Sequence, residues 1–140
     1  MPTLPWTPVD TPETDGDVVV LGSVLHLRSF RHVPGFLRAA MQIRKQVRRS
    51  PGAVGVALIA QPTRRRFWTL SAWAGQGALD AFVQEPPHVD VMARYGKRLD
   101  DARFATWSRP AAGLPKRNSN AKELFGESRT RLAEQTPPAR

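Results

Sequence analysis

The chain has 140 residues, the size of one domain, and 41% of them are apolar, enough for a single core. It has no cysteine, which excludes disulfides, zinc–thiolate centres, iron–sulfur clusters and a cysteine nucleophile. The net charge of +9 sits on residues 17–109, where 15 Lys/Arg face 6 Asp/Glu, and that excess raises binding to a polyanion as one reading.

No apolar run approaches the ~18 residues of a membrane span. No basic-then-apolar leader opens the chain, so the expected location is the cytoplasm and no membrane partner is expected. Residues 1–16 hold four prolines and three acids without an apolar period, and are expected to be a flexible N-terminal segment. Residues 17–109 are expected to form the folded domain. Residues 110–140 read as a basic, proline-containing tail, with a short helix over Ala121–Glu134.

The first strand runs over 18–30. Val18–Leu21 is continuously apolar, and alternation then puts Leu25 and Leu27 on one side and Val24, His26, Arg28 and Phe30 on the other. Pro34-Gly35 opens a helix with Phe36, Leu37, Ala40, Met41 and Val47 at helical spacing, and Ser50-Pro51-Gly52 ends it. His32 just before that helix reads as a loop residue. Arg44, Lys45, Arg48 and Arg49 fall in its last turns, where they complement the helix dipole. Ala53–Ala60 and Phe67–Trp73 follow as a hairpin across the turn at Gln61-Pro62-Thr63-Arg64. Ala78, Leu79, Phe82 and Val83 mark a short helix that Glu85-Pro86-Pro87 breaks. A second helical piece starts near His88 and carries Val91, Met92, Tyr95 and Leu99. Asp100 and Asp101 read as a loop, and Arg103–Ser108 is the last strand.

The order strand, helix, strand, strand, helix, strand predicts an α+β, ferredoxin-like β-α-β-β-α-β unit with a four-stranded antiparallel sheet and its helices on one face. The face with Leu25, Leu27, Val54, Val56, Leu58, Trp68 and Leu70 is the more apolar and is expected to carry the helices. The other parity holds His26, Arg28, Phe67, Thr69, Ser71 and Trp73, a mixed set that suits a lined cavity. A lone domain of roughly ninety residues would expose that face, so a homodimer is expected.

Trp68-Thr-Leu-Ser-Ala-Trp73, Ala78-Leu-Asp-Ala-Phe-Val83 and Pro87-His-Val-Asp-Val-Met92 resemble the antibiotic-biosynthesis-monooxygenase superfamily, and within it uncharacterised bacterial members and the spheroidene-monooxygenase type. The resemblance covers about residues 20–108. It implies a dimeric α+β barrel whose members differ in chemistry: some oxidise quinols or polyketides without a cofactor, some bind and degrade haem, and some have no known activity. Trp73 matches the tryptophan that haem-degrading relatives set against the macrocycle. Their strand-one asparagine and their second-helix histidine have no match here, where His26, Arg28 and Met92 stand instead. His88 matches the Pro-His of the narrower group.

The candidate catalytic residues are therefore His88, His26 and Arg28. Trp73, Phe67, Ser71 and Tyr95 are candidates for binding a substrate. Each also has a structural reading: His88 as a packed or capping histidine at a helix start, His26 and Arg28 as a strand end or an intersubunit pair, and the aromatic residues as core. No triad order, phosphate-cradling glycine loop, paired carboxylates or metal-ligand spacing is seen, so no metal is expected. The leading reading is a monooxygenase-like protein acting on an aromatic or polycyclic small molecule, either without a cofactor or with haem. The alternative is a non-catalytic ligand-binding or structural dimer. Polyanion binding is the weakest reading, since no helix-turn-helix, RNP or zinc-finger pattern supports nucleic acid as a partner.

Overall fold

The computed structural model describes residues 3–8, 16–111, 114–115 and 121–134. Five strands, β1 (Thr3–Pro8), β2 (Asp17–Leu27), β3 (Ala53–Gln61), β4 (Arg66–Trp73) and β5 (Leu99–Pro110), form one sheet in the order β1-β3-β4-β2-β5. Every neighbouring pair is antiparallel. Helices α1 (Val33–Arg49), α2 (Gln76–Gln84) and α3 (His88–Tyr95) pack on one face, called inner below. Helix α4 (Lys122–Ala133) packs on the other.

The β-α-β-β-α-β core follows the order expected from the sequence. Alternation gives β2 its two faces, and Pro34 sits in the first turn of α1. That helix stops where Ser50 turns extended and Gly52 takes φ +82, a value glycine adopts without strain. Asp100 and Asp101 belong to β5 rather than to a loop.

The N-terminal segment departs from expectation. Residues 3–8 are not a flexible tail: they form β1, a fifth strand that pairs with β3. Leu4 opposes Leu58 and Thr7 opposes Val56, so Pro5 and Trp6 together oppose Ala57. That bulge turns Trp6 onto the outer face, where it is 1% exposed. A Cβ on residue 55 would collide with the Trp6 indole, so glycine is the residue that lets the ring lie flat on the sheet. Backbone pairing and one buried indole order a segment whose composition carries no strand signal. Residues 9–15 lie outside the described residues.

The outer face is apolar as well. Val18, Val20, Leu70, Ala72 and Trp107 meet Trp6 and, from α4, Leu124, Phe125 and Leu132. Arg109 on β5 pairs with Glu123 at 3.5 Å and with Glu127, both on α4. The short helix expected over 121–134 is thus α4, and it is the lid of this second layer.

This double cover corrects the facing of the third predicted strand. Ladder partners share a face, and β2–β4 pairing sets Leu25 opposite Phe67, Ser23 opposite Thr69, Leu21 opposite Ser71 and Val19 opposite Trp73. Phe67, Thr69, Ser71 and Trp73 therefore face the helices, whereas Trp68 and Leu70 face α4. Val54 also packs against the outer cluster. Leu25, Leu27, Val56 and Leu58 lie on the helix side as expected. The face carrying Phe67 and Trp73, expected to be open and sealed by a second copy, is closed within the chain. Both are fully buried beneath helices of their own chain, and α4 covers the opposite face.

Candidate functional site

Between the inner face and helices α1, α2 and α3 lies a cavity of about 80 Å³. Its floor is polar where the sheet offers Ser23, Thr69 and Ser71, and its walls are Phe36, Ile43, Leu58, Val91 and Met92. His88 and Arg44 enter it from α3 and α1, and Phe104 of β5 stands at its edge, 40% exposed.

The floor hydroxyls are held in place. Ser23 and Thr69, opposite each other in the ladder, are hydrogen-bonded to one another. Trp73 Nε1 donates to Ser71 Oγ at 2.9 Å. Ser71 is an acceptor in that bond, so its own O–H is left to donate elsewhere.

His88 is positioned through Gln46 of α1. The Gln46 amide donates to the carbonyls of Phe82 (3.1 Å) and Glu85 (3.2 Å), and its carbonyl accepts from His88 N at 2.9 Å. The imidazole packs on Phe82, centroids 4.9 Å apart. His88 Nδ1 is 3.1 Å from the carbonyl of Val83. A carbonyl only accepts, so Nδ1 carries the proton and Nε2 keeps the lone pair. Burial lowers the His88 pKa below the ordinary histidine value of 6.5, and the Val83 carbonyl partly opposes that shift. At pH 7 this ring is a neutral base.

Arg44 supplies the charge. Its Nη2 donates to Thr7 Oγ1 of β1 at 2.7 Å, while its Nε is buried without a hydrogen-bond partner among the described residues. Burial, followed by the like charge of Arg48, disfavours its protonated form. Guanidinium nonetheless stays charged in proteins. An anion in the cavity that Arg44 lines would offset both penalties. A cation, a neutral imidazole and a free hydroxyl donor around one small apolar chamber can bind and ionise a weak organic acid.

Of the seven candidates from sequence, His88 and Ser71 line this cavity. Trp73 is on the same side but is core, 0% exposed and stacked on Phe82 at 4.8 Å. Phe67 and Tyr95 are core too: Phe36 lies 4.8 Å from the Phe67 ring and 5.1 Å from the Tyr95 ring. His26 and Arg28 are not part of it. His26 sits on the outer face beside Arg66 and Asp101, and Arg28 is 60% exposed, 3.8 Å from Asp100. The parity of β2 separated them from Leu25 and Leu27 correctly; the misplaced facing of β4 joined them to Trp73. Arg44 and Gln46 were missed as site residues. The signal for Arg44 was its spacing, four residues after Ala40 and three before Val47, on the buried stripe of α1.

A haem does not fit this chamber. A cavity of about 150 Å³ is what holds a benzene ring, and the macrocycle is several times larger. Trp73 has no free face to offer it. Among the described residues no cluster of three or more His, Asp or Glu could hold a metal ion. No helix of the described residues is long and apolar enough to cross a membrane.

No protein-family model matches the chain, and no curated protein matches it significantly. Solved structures do resemble it. A mutant form of SnoaB, a cofactor-independent oxygenase from Streptomyces nogalater, superposes with a TM-score of 0.55 at 11% identity, over 64% of this chain and 90% of that one. An antibiotic biosynthesis monooxygenase gives 0.58 at 11% identity, over 64% and 95%. A Pseudomonas aeruginosa protein gives 0.59 at 11% identity, over 70% and 98%. Identity this low speaks to architecture alone: the chain has the α+β, ferredoxin-like fold of the antibiotic biosynthesis monooxygenases.

Proposed function

We propose that this chain is a monooxygenase-like protein that binds a small phenol or quinol as its anion and oxidises it with molecular oxygen, without a cofactor. The observation that carries the reading is one cavity lined by a neutral imidazole, a partly buried guanidinium and the Ser71 hydroxyl. At about 80 Å³ the cavity is smaller than the ~150 Å³ that holds benzene, so a single ring already presses on its walls, and the polycyclic substrates also considered from sequence need far more room. A larger substrate would have to part the wall at Met92 and Phe104. The likeness to a cofactor-independent oxygenase supports the chemistry by fold alone.

In the proposed reaction His88 Nε2 takes the phenol proton, and Arg44 and Ser71 hold the oxyanion. Ionisation gives carbanion character to a ring carbon that bears hydrogen, para to oxygen in a phenol and ortho in a quinol. One electron passes to oxygen, the two radicals combine, and a C–O bond forms. The peroxide takes the proton back from His88. The hydrogen on that carbon then leaves as the O–O bond breaks, releasing water and leaving a quinone. One oxygen atom enters the product and the other becomes water. Phenol loses two hydrogens, and His88 ends neutral. A homodimer of this chain would be sealed along the inner side of β5, where Ala102, Phe104, Thr106 and Ser108 are exposed.

The test is oxygen uptake by the purified protein with single-ring phenols and quinols. The expected result is one oxygen consumed per quinone formed, unaffected by chelators. Saturable binding without oxygen uptake would replace this reading with a non-catalytic ligand-binding protein.

A further inference from the structure

We propose that the outer face of the sheet carries a second site, which binds the phosphate group of a small phosphorylated molecule. Strand register builds it. Across β4, β2 and β5 the row Arg66–His26–Asp101 lies next to the row Trp68–Val24–Arg103. The last turns of α4 add Arg129, Leu132 and Ala133 above them. The result is a depression of about 240 Å³, on the side of the sheet away from His88 and Arg44.

Its charge is unbalanced. Arg66 and Arg129 both lie over the Trp68 ring, 6.0 and 5.4 Å from its centre. The ring is fixed because Trp68 Nε1 donates to Gln61 Oε1 at 2.9 Å. Neither guanidinium has a carboxylate partner among the described residues. The one carboxylate in the depression, Asp101, is already engaged by Arg103 at 3.1 Å. Cation–π contact of this kind contributes about 0.5–1 kcal/mol at exposed sites, and it sets two like charges side by side. An anion offsets that repulsion. Guanidinium forks match phosphate oxygens two at a time, which favours a phosphate group over chloride or a single carboxylate. The volume suits one phosphate and a small substituent, not a polymer.

The site also joins two layers. Arg66 and Arg103 belong to the sheet and Arg129 to α4, so a bound phosphate staples α4 down. Binding should then raise the unfolding temperature, since a ligand held by the native state stabilises it by mass action. Inorganic phosphate and phenyl phosphate are the probes, titrated calorimetrically at constant ionic strength with chloride as the balancing anion. We expect saturable binding of both, a Tm that rises with occupancy, and at least a tenfold weaker affinity in the Arg66→Gln/Arg129→Gln double variant. His88→Gln should bind phosphate like the wild type, which separates this site from the cavity. Absence of saturable binding in the wild type, or equal binding in the folded double variant, would overturn the proposal.

Discussion

His88→Gln should lower oxygen-dependent turnover of a phenol by about 10²–10⁴-fold, the range a positioned general base supplies, while leaving the fold nearly intact. Glutamine keeps much of the volume against Phe82 but has no basic nitrogen. The wild-type rate should carry its own signature. Burial holds the His88 pKa below 6.5, so kcat/KM should be level near neutrality and fall only when pH drops below that lowered value. Stability follows the same sign. The unfolded chain takes up the proton first as pH falls from 6.5, so protonation of this ring works against the native state there. An unchanged rate in His88→Gln, or an acid limb centred above 6.5, would remove His88 as the base.

Trp6→Ala should be the most damaging single change to stability, costing about 3–5 kcal/mol, as truncation of a buried aromatic does. For a domain of this size that is a fall in Tm of roughly 10–20 °C. Trp6 is 1% exposed and lies on Gly55, so its removal leaves a void between the sheet and the outer layer. It also frees the edge of β3 and loosens Thr7, the partner of Arg44. Denaturant unfolding of the variant measures this. A Tm within a degree or two of the wild type would mean that β1 is not integral to the fold.

The central elements could be read from the sequence because each was written in local chemistry. Alternation gave β2, helical spacing gave α1, and Glu85-Pro86-Pro87 separated α2 from α3. What the sequence hid was decided at a distance. β1 exists because β3 offers an edge and Gly55 offers room for an indole, and neither fact is visible in Thr3–Pro8. The face of β4 could not be read from polarity, because α4 gives the outer face a core of its own and makes both parities apolar. Once Trp68 and Leu70 had been set against the helices, Phe67, Ser71 and Trp73 fell in with His26 and Arg28, which lie across the sheet from them. His88 was legible from its place at the head of an apolar stripe. Arg44 was not, because an arginine among Lys45, Arg48 and Arg49 reads as a solvated surface until Thr7 closes over it.

The claim that matters most is that the cavity binds a phenol as its anion. A nitrophenol reports this directly, because its phenolate absorbs at longer wavelength than the neutral form. Titrated with protein at a pH where the free dye is largely neutral, it should convert to the phenolate spectrum on binding. Arg44→Gln should bind it at least tenfold more weakly and return its apparent pKa toward the solution value. Binding that leaves the neutral spectrum unchanged, or conversion that persists fully in Arg44→Gln, would contradict the account.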